Sequence, residues 1–388
     1  MAARFLAAVT LALLVVTGVE RSLPSGDLRD FGSFTASARA GAQGQSPYGV
    51  YPLTFHVVVP GFDLWNPNLN PPISVIAFRV FERLEPARAF RLWWSLSLIC
   101  YVAAVSLLVR RYPGSPEAAR YAGLLLPLWA FAHAGLWDTL FLGQLYLPLV
   151  LAVAGSWLLL DADRPLSAGV LMGILVAVKP NFMVWPALLF LAGHRRAPLS
   201  AAATAVALTA VPLVTHGTEI YRQWVSLIMS DEARGAFLTN ASLPGLAQRI
   251  GNRGLGTLLA IGLLAGAMVW AWRRKPAPLE ASAFGLAVGI LVSPIAWVHY
   301  TLFLLPVFFS RRPSKLLALA AALLVLPVPF VLRFLDAPVW QQVTIGSAYN
   351  WAMLLCLSAF MKERARPAQL TLSSRDPARH DHASAGIS

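Results

Sequence analysis

Residues 91–111 read RLWWSLSLICYVAAVSLLVRR, and this stretch decides the fold class. Its first nineteen residues are almost entirely apolar, close to the roughly 20 residues that a helix needs to cross a bilayer. Backbone hydrogen bonds must be satisfied internally in lipid, and the run lacks the alternation of barrel strands. The stretch therefore predicts a transmembrane α-helix that ends at a pair of arginines.

Similar runs recur along almost the whole chain. The sequence is 57% hydrophobic and 13% charged, whereas about 25% of residues are charged in a soluble domain. We predict an all-α protein, a polytopic bundle of about 10–12 membrane spans over residues 1–363, with a polar, disordered tail at 364–388. The apolar runs are 3–19, 91–109, 119–137, 145–160, 166–179, 181–193, 198–216, 254–272, 279–297, 299–310, 315–333 and 346–361.

The net charge of +13 is spread over short basic clusters that separate apolar runs. This distribution indicates membrane topology rather than a nucleic-acid partner, because cytoplasmic loops are enriched in lysine and arginine. Both termini are then cytoplasmic, the first run is a retained signal anchor, and residues 20–90 form a long external loop. The clusters are Arg110-Arg111, His194-Arg195-Arg196, Arg273-Arg274-Lys275, Arg311-Arg312 with Lys315, and Lys362 with Arg364 and Arg366.

Several apolar runs are too short to cross a bilayer alone. The pair that meets at Lys179-Pro180 and the pair that meets near residues 297–299 therefore predict broken or partly inserted helices. In the external loop, residues 73–84 are apolar but interrupted by charges, which favours an interfacial amphipathic helix. Cys100 and Cys356 both fall inside apolar runs, so they indicate neither a disulfide framework nor a metal site.

Two carboxylates, Asp27 and Asp30, follow the first apolar run in a chain that has only 18 acidic residues. An acid or base acting on a lipid-carried substrate is expected at such a place, just outside the membrane. If the two residues lie on one short helix, they share a face. The alternative is a loop end whose charges simply face water.

Lys179 and His299 each border an apolar run at the predicted outer face. Lys179 is one of four lysines and the only one outside the basic clusters. Ionisable groups at the edge of a span are functional candidates, and a lipid phosphate is the natural partner of this lysine. His299 could donate to a phosphate or move a proton near neutral pH. The alternatives are a lysine that extends to the headgroups and an interface-belt histidine.

A third polar group comprises Asn240, Ser242 and Arg249. Their amide, hydroxyl and guanidinium suit sugar hydroxyls and a phosphate, and the alternative is a turn followed by a helix start. The sequence contains no phosphate-binding loop, no dinucleotide-binding glycine pattern and no zinc-protease motif. No resident cofactor is therefore predicted, and a divalent metal is possible but not indicated.

Several short pieces follow in a fixed order along the chain. They are Asp30-Phe31, Pro47-Tyr48, Asn70-Pro71-Pro72, Gly143-Gln144, residues 169–180, Asn240 to Leu243, Arg249, and Ser293-Pro294 with Trp297 and His299. In order and spacing, these pieces resemble glycosyltransferase family 87 of the GT-C superfamily, which includes polyprenol-phosphate-mannose-dependent mannosyltransferases. The resemblance covers about residues 20–310. Two positions depart from it: Tyr146 stands where an asparagine is expected, and Ala241 interrupts an Asn-Gln-Ser-Leu run.

The resemblance implies a GT-C-type bundle in the bacterial plasma membrane and sugar transfer at its outer face. The donor is a polyprenyl-phosphate sugar, the acceptor is a lipid or glycan, and the lipid phosphate leaves with inversion. Asp30 is the implied general base, with Asp27 as a helper or second candidate. The implied residues for substrate or phosphate binding are Lys179, Arg249, His299, Gln144, Asn240 and Ser242.

Three alternatives remain open at the level of sequence. The donor sugar could be arabinofuranose rather than mannose. A transporter or flippase of lipid-linked sugars would need polar residues at mid-span, whereas the candidates here border the outer ends of the spans. A membrane scaffold would leave the placement of Asp27 and Asp30 unexplained.

Overall fold

The computed structural model describes residues 2–24, 26–113, 122–230, 233–311 and 314–362. The polar tail predicted at 364–388 and the start of the run predicted at 119–137 lie outside these residues. In the first half of the chain the elements are α1 (Ala2–Ser22), α2 (Arg29–Ala42), β1 (Phe55–Val59), β2 (Phe62–Asn66), α3 (Ile73–Phe78), α4 (Pro86–Arg111), α5 (Ala122–Ala132), α6 (Ala134–Leu142), α7 (Tyr146–Asp161) and α8 (Pro165–Val178).

The second half continues with helices of very different length. They are α9 (Val184–Leu191), α10 (Arg196–His216), α11 (Glu219–Ser230), α12 (Leu243–Arg249), α13 (Arg253–Arg274), α14 (Pro278–Val292), α15 (Leu305–Ser310), α16 (Lys315–Leu324), α17 (Val328–Leu332), α18 (Val339–Val343) and α19 (Ala348–Lys362). Short 3₁₀ turns cover Arg79–Phe81, Pro180–Met183, Ala233–Ala236, Val298–Leu304 and Ile345–Ser347.

The predicted all-α, multi-pass architecture is confirmed. Within the described residues, six helical segments are long and apolar enough to cross a membrane, and six shorter apolar ones accompany them. Each of the twelve predicted runs overlaps one of these segments. The long segments are Arg4–Ser22, Pro86–Arg111, Leu125–Leu142, Arg196–His216, Arg253–Arg274 and Val339–Lys362.

Short helices form the centre of the bundle and long ones form its periphery. Every residue of α14 from Ala281 to Leu291 is buried, as expected for a helix that is apolar all round. The long helices α4, α10 and α13 instead expose large apolar side chains, among them Ile99, Val206 and Leu258. These exposed faces fit contact with lipid tails.

The helices are interrupted at both predicted places because a proline follows each helix end. Helix α8 ends at Val178, and Lys179 adopts an extended conformation with φ −136° and ψ 82° because the residue before a proline is pushed out of the helical region. Ser293 behaves in the same way before Pro294. A third break was not predicted: α5 and α6 are separated by His133, whose Nδ1 caps α6 by accepting from Gly135 N at 3.0 Å.

The external loop is more ordered than its composition suggests. The helix predicted at residues 73–84 is present as α3 and the following 3₁₀ turn. An antiparallel hairpin of β1 and β2, which was not predicted, turns at Gly61 with φ +76°. Ser33 of α2 fastens the hairpin, because its hydroxyl donates to Asn66 O at 2.6 Å and accepts from Phe55 N at 3.0 Å.

Two polar contacts link helix ends beside predicted cytoplasmic clusters. Arg111 pairs with Asp161 at 2.7 Å and so joins the ends of α4 and α7. Lys275 Nζ donates to Leu191 O at 2.7 Å and joins the ends of α13 and α9. The external loop meets the bundle near the other end of α9, where Lys179 Nζ donates to Asn70 Oδ1 at 2.6 Å.

The orientation of the two ends is testable with cysteine labelling. We expect Ser46→Cys to react with a membrane-impermeant maleimide in intact cells, because the basic clusters predict that residues 20–90 are external. Ser314→Cys should react only after the membrane is permeabilised. Labelling of both positions from the same side would contradict this topology.

Candidate active site

Asp30 lies in the first turn of α2, and only 3% of the residue is exposed. Two neutral amides hold its carboxylate: Asn66 Nδ2 donates to Oδ1 at 2.5 Å, and Gln144 Nε2 donates to Oδ2 at 2.6 Å. Asn66 is the last residue of β2, so the unpredicted hairpin supplies one of the two amides. The carboxylate is therefore fixed in position, and no salt bridge to it occurs in the part of the chain that the structure describes.

Burial makes the Asp30 carboxyl a weaker acid. Burial raises the pKa of the Asp30 carboxyl to about 6, although the hydrogen bonds from Gln144 and Asn66 act to lower it. Arg234 and Lys179 also lower this pKa from a distance. A carboxyl with a pKa near the working pH is ionised and still basic enough to accept a proton, as a general base must be.

Gln144 reaches Asp30 because of the glycine before it. Gly143 ends α6 with φ +69°, a left-handed conformation that favours glycine. A Cβ at this position would also approach the Phe31 and Phe90 side chains to 2.7 Å. The Oε1 of Gln144 is buried and has no hydrogen-bond partner within the described part of the chain, so this amide retains an unused acceptor beside Asp30.

Lys179 supplies a buried cation next to this carboxylate. Its Nζ donates to Asn70 Oδ1 at 2.6 Å and lies 4.6 Å from the Tyr146 ring centre and 5.4 Å from that of Tyr300. None of these partners is charged, and no ion pair of Lys179 occurs in the described residues. A buried cation with neutral partners is poised to take an anionic ligand.

Asn70 is itself held by a chain of polar contacts. Its Nδ2 donates to Asn68 Oδ1 at 3.0 Å, and Asn68 Nδ2 donates to Ser37 Oγ at 3.1 Å and Ser74 Oγ at 3.0 Å. These bonds connect Lys179 to α2 and α3. The external loop and the bundle therefore jointly fix the position of the ammonium group.

His299 faces the same cluster from the 3₁₀ turn that follows the second break. Thr139 Oγ1 donates its only proton to Gly135 O at 2.5 Å, so it accepts from His299 Nδ1 at 3.2 Å. Asp138 Oδ2 lies 3.5 Å from the same nitrogen. Both contacts favour the tautomer with the proton on Nδ1, and the imidazole stacks on Tyr146 at 4.9 Å.

Asp27 does not join Asp30. The expectation that both lie on one helical face is wrong, because α2 begins at Arg29 and Asp27 precedes it. The Asp27 side chain is 57% exposed and pairs with Arg29 at 3.3 Å. Its carboxylate therefore faces water, as in the alternative reading of this position.

Arg249 lies outside the cluster and uses all its hydrogen-bonding capacity within the protein. The residue is 5% exposed. Its five N–H groups match five short contacts to neutral oxygens, which leaves none for a ligand. These acceptors are Ala236 O at 3.1 Å, Phe237 O at 2.7 Å, Asn240 O at 2.6 Å, Ser347 Oγ at 2.7 Å and Asn350 Oδ1 at 2.6 Å.

Asn240 and Ser242 belong to the same network of buried hydrogen bonds as Arg249. Asn240 Oδ1 accepts from Ala296 N at 2.9 Å, and its Nδ2 donates to Pro294 O at 3.2 Å. Ser242 Oγ caps α12 by accepting from Gly245 N at 3.1 Å. These contacts hold residues 294–296, just before His299. The geometry thus gives Asn240, Ser242 and Arg249 a supporting role beside the site.

The structural role of Arg249 leads to a stability prediction. Arg249→Met should remove five hydrogen bonds and leave their acceptors buried, which costs on the order of 3 kcal/mol or more. We expect a lower midpoint of thermal unfolding in detergent. Arg333→Met, at an exposed position, should leave the midpoint unchanged, and a wild-type midpoint for Arg249→Met would contradict the role.

Three residues of the site were not predicted from sequence. Asn66 was seen only as part of a polar loop and Tyr146 only as a departure from the family pattern. Asp138 was considered only as a reserve candidate for the base, together with Asp63. Tyr146 contacts both Lys179 and His299. The sequence signal for Asp138 is a lone charge directly after an apolar run.

The chemistry of the cluster suits an anion. Amide groups, a lysine and aromatic rings surround Asp30, whereas cations such as Mg²⁺ prefer several oxygen ligands. In the ranges that the structure describes, no three His, Cys, Asp or Glu side chains are grouped so that they could hold a metal ion. The arrangement provides a base beside a cationic pocket.

Comparisons with known proteins identify the family. The sequence model of glycosyltransferase family 87 matches residues 68–294, more than half of the chain. A polyprenol-phosphate-mannose-dependent alpha-(1-2)-phosphatidylinositol pentamannoside mannosyltransferase of Mycolicibacterium smegmatis is 28% identical over 81% of this chain and 79% of its own. A polyprenol-phosphate-mannose-dependent alpha-(1-2)-phosphatidylinositol mannoside mannosyltransferase of Mycobacterium tuberculosis is 26% identical over 87% of this chain and 85% of its own. The chain therefore belongs to glycosyltransferase family 87 and is a multi-pass membrane glycosyltransferase.

Proposed function

We propose that this enzyme transfers a mannosyl group from a polyprenyl-phosphate donor to a hydroxyl of a lipid-anchored glycan, at the outer face of the cell membrane and with inversion. Support for the donor comes from the relatives, whose names include polyprenol-phosphate-mannose dependence. Support for the acceptor comes from the phosphatidylinositol mannosides in the same names. The proposal places both termini in the cytoplasm.

The observation that carries the proposal is the presence of Asp30 and Lys179 in one buried cluster. A carboxylate held by two neutral amides shares this cluster with an ammonium that, among the described residues, forms no ion pair. The two charges are near enough to interact electrostatically. Glycosyl transfer from a lipid phosphate needs these two groups. One takes a proton from the attacking hydroxyl, and the other stabilises the phosphate as it leaves.

In the proposed step, one bond forms at the anomeric carbon and one bond breaks. The acceptor oxygen forms a bond to the anomeric carbon while its proton passes to Asp30. The bond from that carbon to the phosphate oxygen breaks, and the electron pair leaves with the lipid phosphate. Lys179 donates a charge-assisted hydrogen bond that strengthens as negative charge develops on the phosphate. Attack and departure on opposite faces of the sugar invert the anomeric centre.

His299 is the second proposed partner of the phosphate. With its proton on Nδ1, the neutral imidazole presents Nε2 as an acceptor, and a further proton makes Nε2 a donor. We propose that His299 then donates to the phosphate. The step requires neither a resident cofactor nor a metal.

Donor specificity provides the test of this function. Purified protein in vesicles containing the cell's polar lipids is offered polyprenyl-phosphate mannose or polyprenyl-phosphate arabinofuranose, each with a labelled sugar. We expect label in the glycolipid fraction with the mannose donor only. Label from arabinofuranose alone would overturn the donor assignment, and movement of intact donor across the vesicle without transfer would favour a flippase.

The pKa of Asp30 predicts the pH dependence of transfer. Because that pKa is raised to about 6, the carboxyl is ionised at neutral pH and becomes protonated as the pH falls through 6. A protonated carboxyl cannot accept the hydroxyl proton, so we expect the rate to fall about tenfold per pH unit well below 6. Initial rates in buffers from pH 5 to 8 provide the measurement. A constant rate down to pH 5 would contradict the assignment.

A further inference from the structure

A polar depression lies at the outer end of the bundle, between the turn that follows α2 and helix α11. We name it the outer trough. Two adjoining depressions of 480 and 440 Å³, both open to the surface, form it. The hydrogen bond from Ser46 Oγ to Gln223 Oε1, 2.9 Å long, spans the boundary between them. The main lining residues of the outer trough are Ser46, Tyr48, Glu219, Arg222, Gln223 and Ser226.

The lining groups of the outer trough retain hydrogen-bonding capacity. Gln223 Nε2 reaches Glu219 Oε1 only at 3.5 Å, and Glu219 Oε2 reaches Arg222 Nη1 only at 3.5 Å. Both distances are at the outer limit of a polar contact. The trough offers both acceptors and donors, from a carboxylate, a guanidinium, an amide and hydroxyls. Each hydroxyl of a sugar both donates and accepts, so it can bind to such a mixture.

Helix α11 also has an apolar face that points away from the trough. Val225, Ile228 and Met229 are 48%, 40% and 76% exposed. A helix that is polar on one side and exposes large apolar side chains on the other is typical of the membrane interface. The trough therefore opens beside the outer leaflet, where the polar headgroup of a lipid lies.

The floor of the outer trough is hydrogen-bonded to the backbone of residues 69 and 70, beside Lys179. Tyr48 OH donates to Asn70 O at 3.1 Å, and Trp224 Nε1 donates to Leu69 O at 3.1 Å. The side chain of Asn70 accepts the hydrogen bond from Lys179. One residue thus separates the wall of the trough from the group proposed to bind the donor phosphate.

We propose that the outer trough binds the saccharide headgroup of a lipid-anchored acceptor and holds it while its reacting hydroxyl reaches Asp30. This assignment rests on the proposed function, because it supplies the acceptor site of the same reaction. The lipid tail then lies beside the apolar face of α11. A soluble glycan has the same sugar chemistry but no tail, so the experiment must separate the two sources.

Photo-crosslinking in native membranes tests the occupant without requiring catalysis. Full-length protein carrying p-azidophenylalanine in place of Ser226 is irradiated, and the adduct is identified by tandem mass spectrometry. We expect a lipid that carries sugar fragments. The matched control replaces Val225, the next residue on the lipid-facing side, and should capture ordinary phospholipids. Phospholipid alone at both positions, no adduct at Ser226, or a glycan without a lipid would overturn the proposal.

Kinetics separate the trough from the catalytic step. Ser226→Trp fills the trough and should raise the apparent KM for acceptor lipid roughly tenfold or more, whereas Val225→Trp should leave it unchanged. Gln223→Ala is the gentler variant and should raise it by about fivefold, the loss of one hydrogen bond. The KM for polyprenyl-phosphate mannose should stay within twofold in all three. An unchanged acceptor KM in the two trough variants, with mannose transfer intact, would count against the trough and leave the proposed function standing.

Discussion

Asp30→Asn is expected to lower the rate of sugar transfer about 10²–10⁴-fold, the usual contribution of a general base. Asparagine has the same shape as aspartate but cannot accept a proton from the attacking hydroxyl. The fold should tolerate the change, because the unpartnered Oε1 of Gln144 can accept from the introduced amide once the Gln144 side chain flips. Donor binding should persist, since Lys179 is untouched.

The measurement is single-turnover transfer in reconstituted vesicles, together with donor binding and an unfolding midpoint. Asp27→Asn is the matched control: the same chemical change, three residues away, on a side chain that is 57% exposed. It should retain a rate within a fewfold of wild type. If Asp30→Asn also turned over at that level, Asp138 would become the next candidate, because it faces the same cluster through His299.

The helical bundle could be predicted from sequence because the signals for its helices are local in the chain. Apolar runs and basic clusters depend on composition over windows of about 20 residues, and prolines 180 and 294 mark the two predicted breaks by removing helical conformations before them. The break at His133 carries no such signal. It depends on a side chain that caps the next helix and on packing against Thr301, which lies 168 positions along the chain.

The site was less predictable because its contacts join distant segments. Asp30, Gln144 and Lys179 could each be selected by type and position, and the structure brings them together. Their partners could not be selected, since Asn66 reaches Asp30 only through the hairpin and Tyr146 looked like a departure from the family. Arg249 shows the opposite error. Its fixed positive charge suggested a phosphate ligand, but neutral oxygens from two segments, 236–240 and 347–350, occupy its N–H groups.

Lys179→Met is expected to reduce kcat/KM for the polyprenyl-phosphate donor roughly ten- to hundredfold, equal to about 1.5–3 kcal/mol for one hydrogen bond to a charged group. Methionine fills a similar volume and keeps the contacts with Tyr146 and Tyr300, but it has no charge to offer the phosphate. It also leaves Asn70 Oδ1 without its donor, so a small loss of stability is expected. Donor kinetics with a purified, folded variant provide the measurement.

Lys275→Met is the matched control for the loss of a lysine. Its Nζ also donates to a single neutral oxygen, Leu191 O at 2.7 Å, but at the opposite end of the bundle. If Lys179 acts through its charge on the donor phosphate, only Lys179→Met should change donor kinetics, and Lys179→Arg should recover part of the loss. Equal kinetics in the two methionine variants would leave Lys179 with a structural role only, as the buried donor to Asn70 Oδ1. The charge that stabilises the leaving phosphate would then have to come from His299.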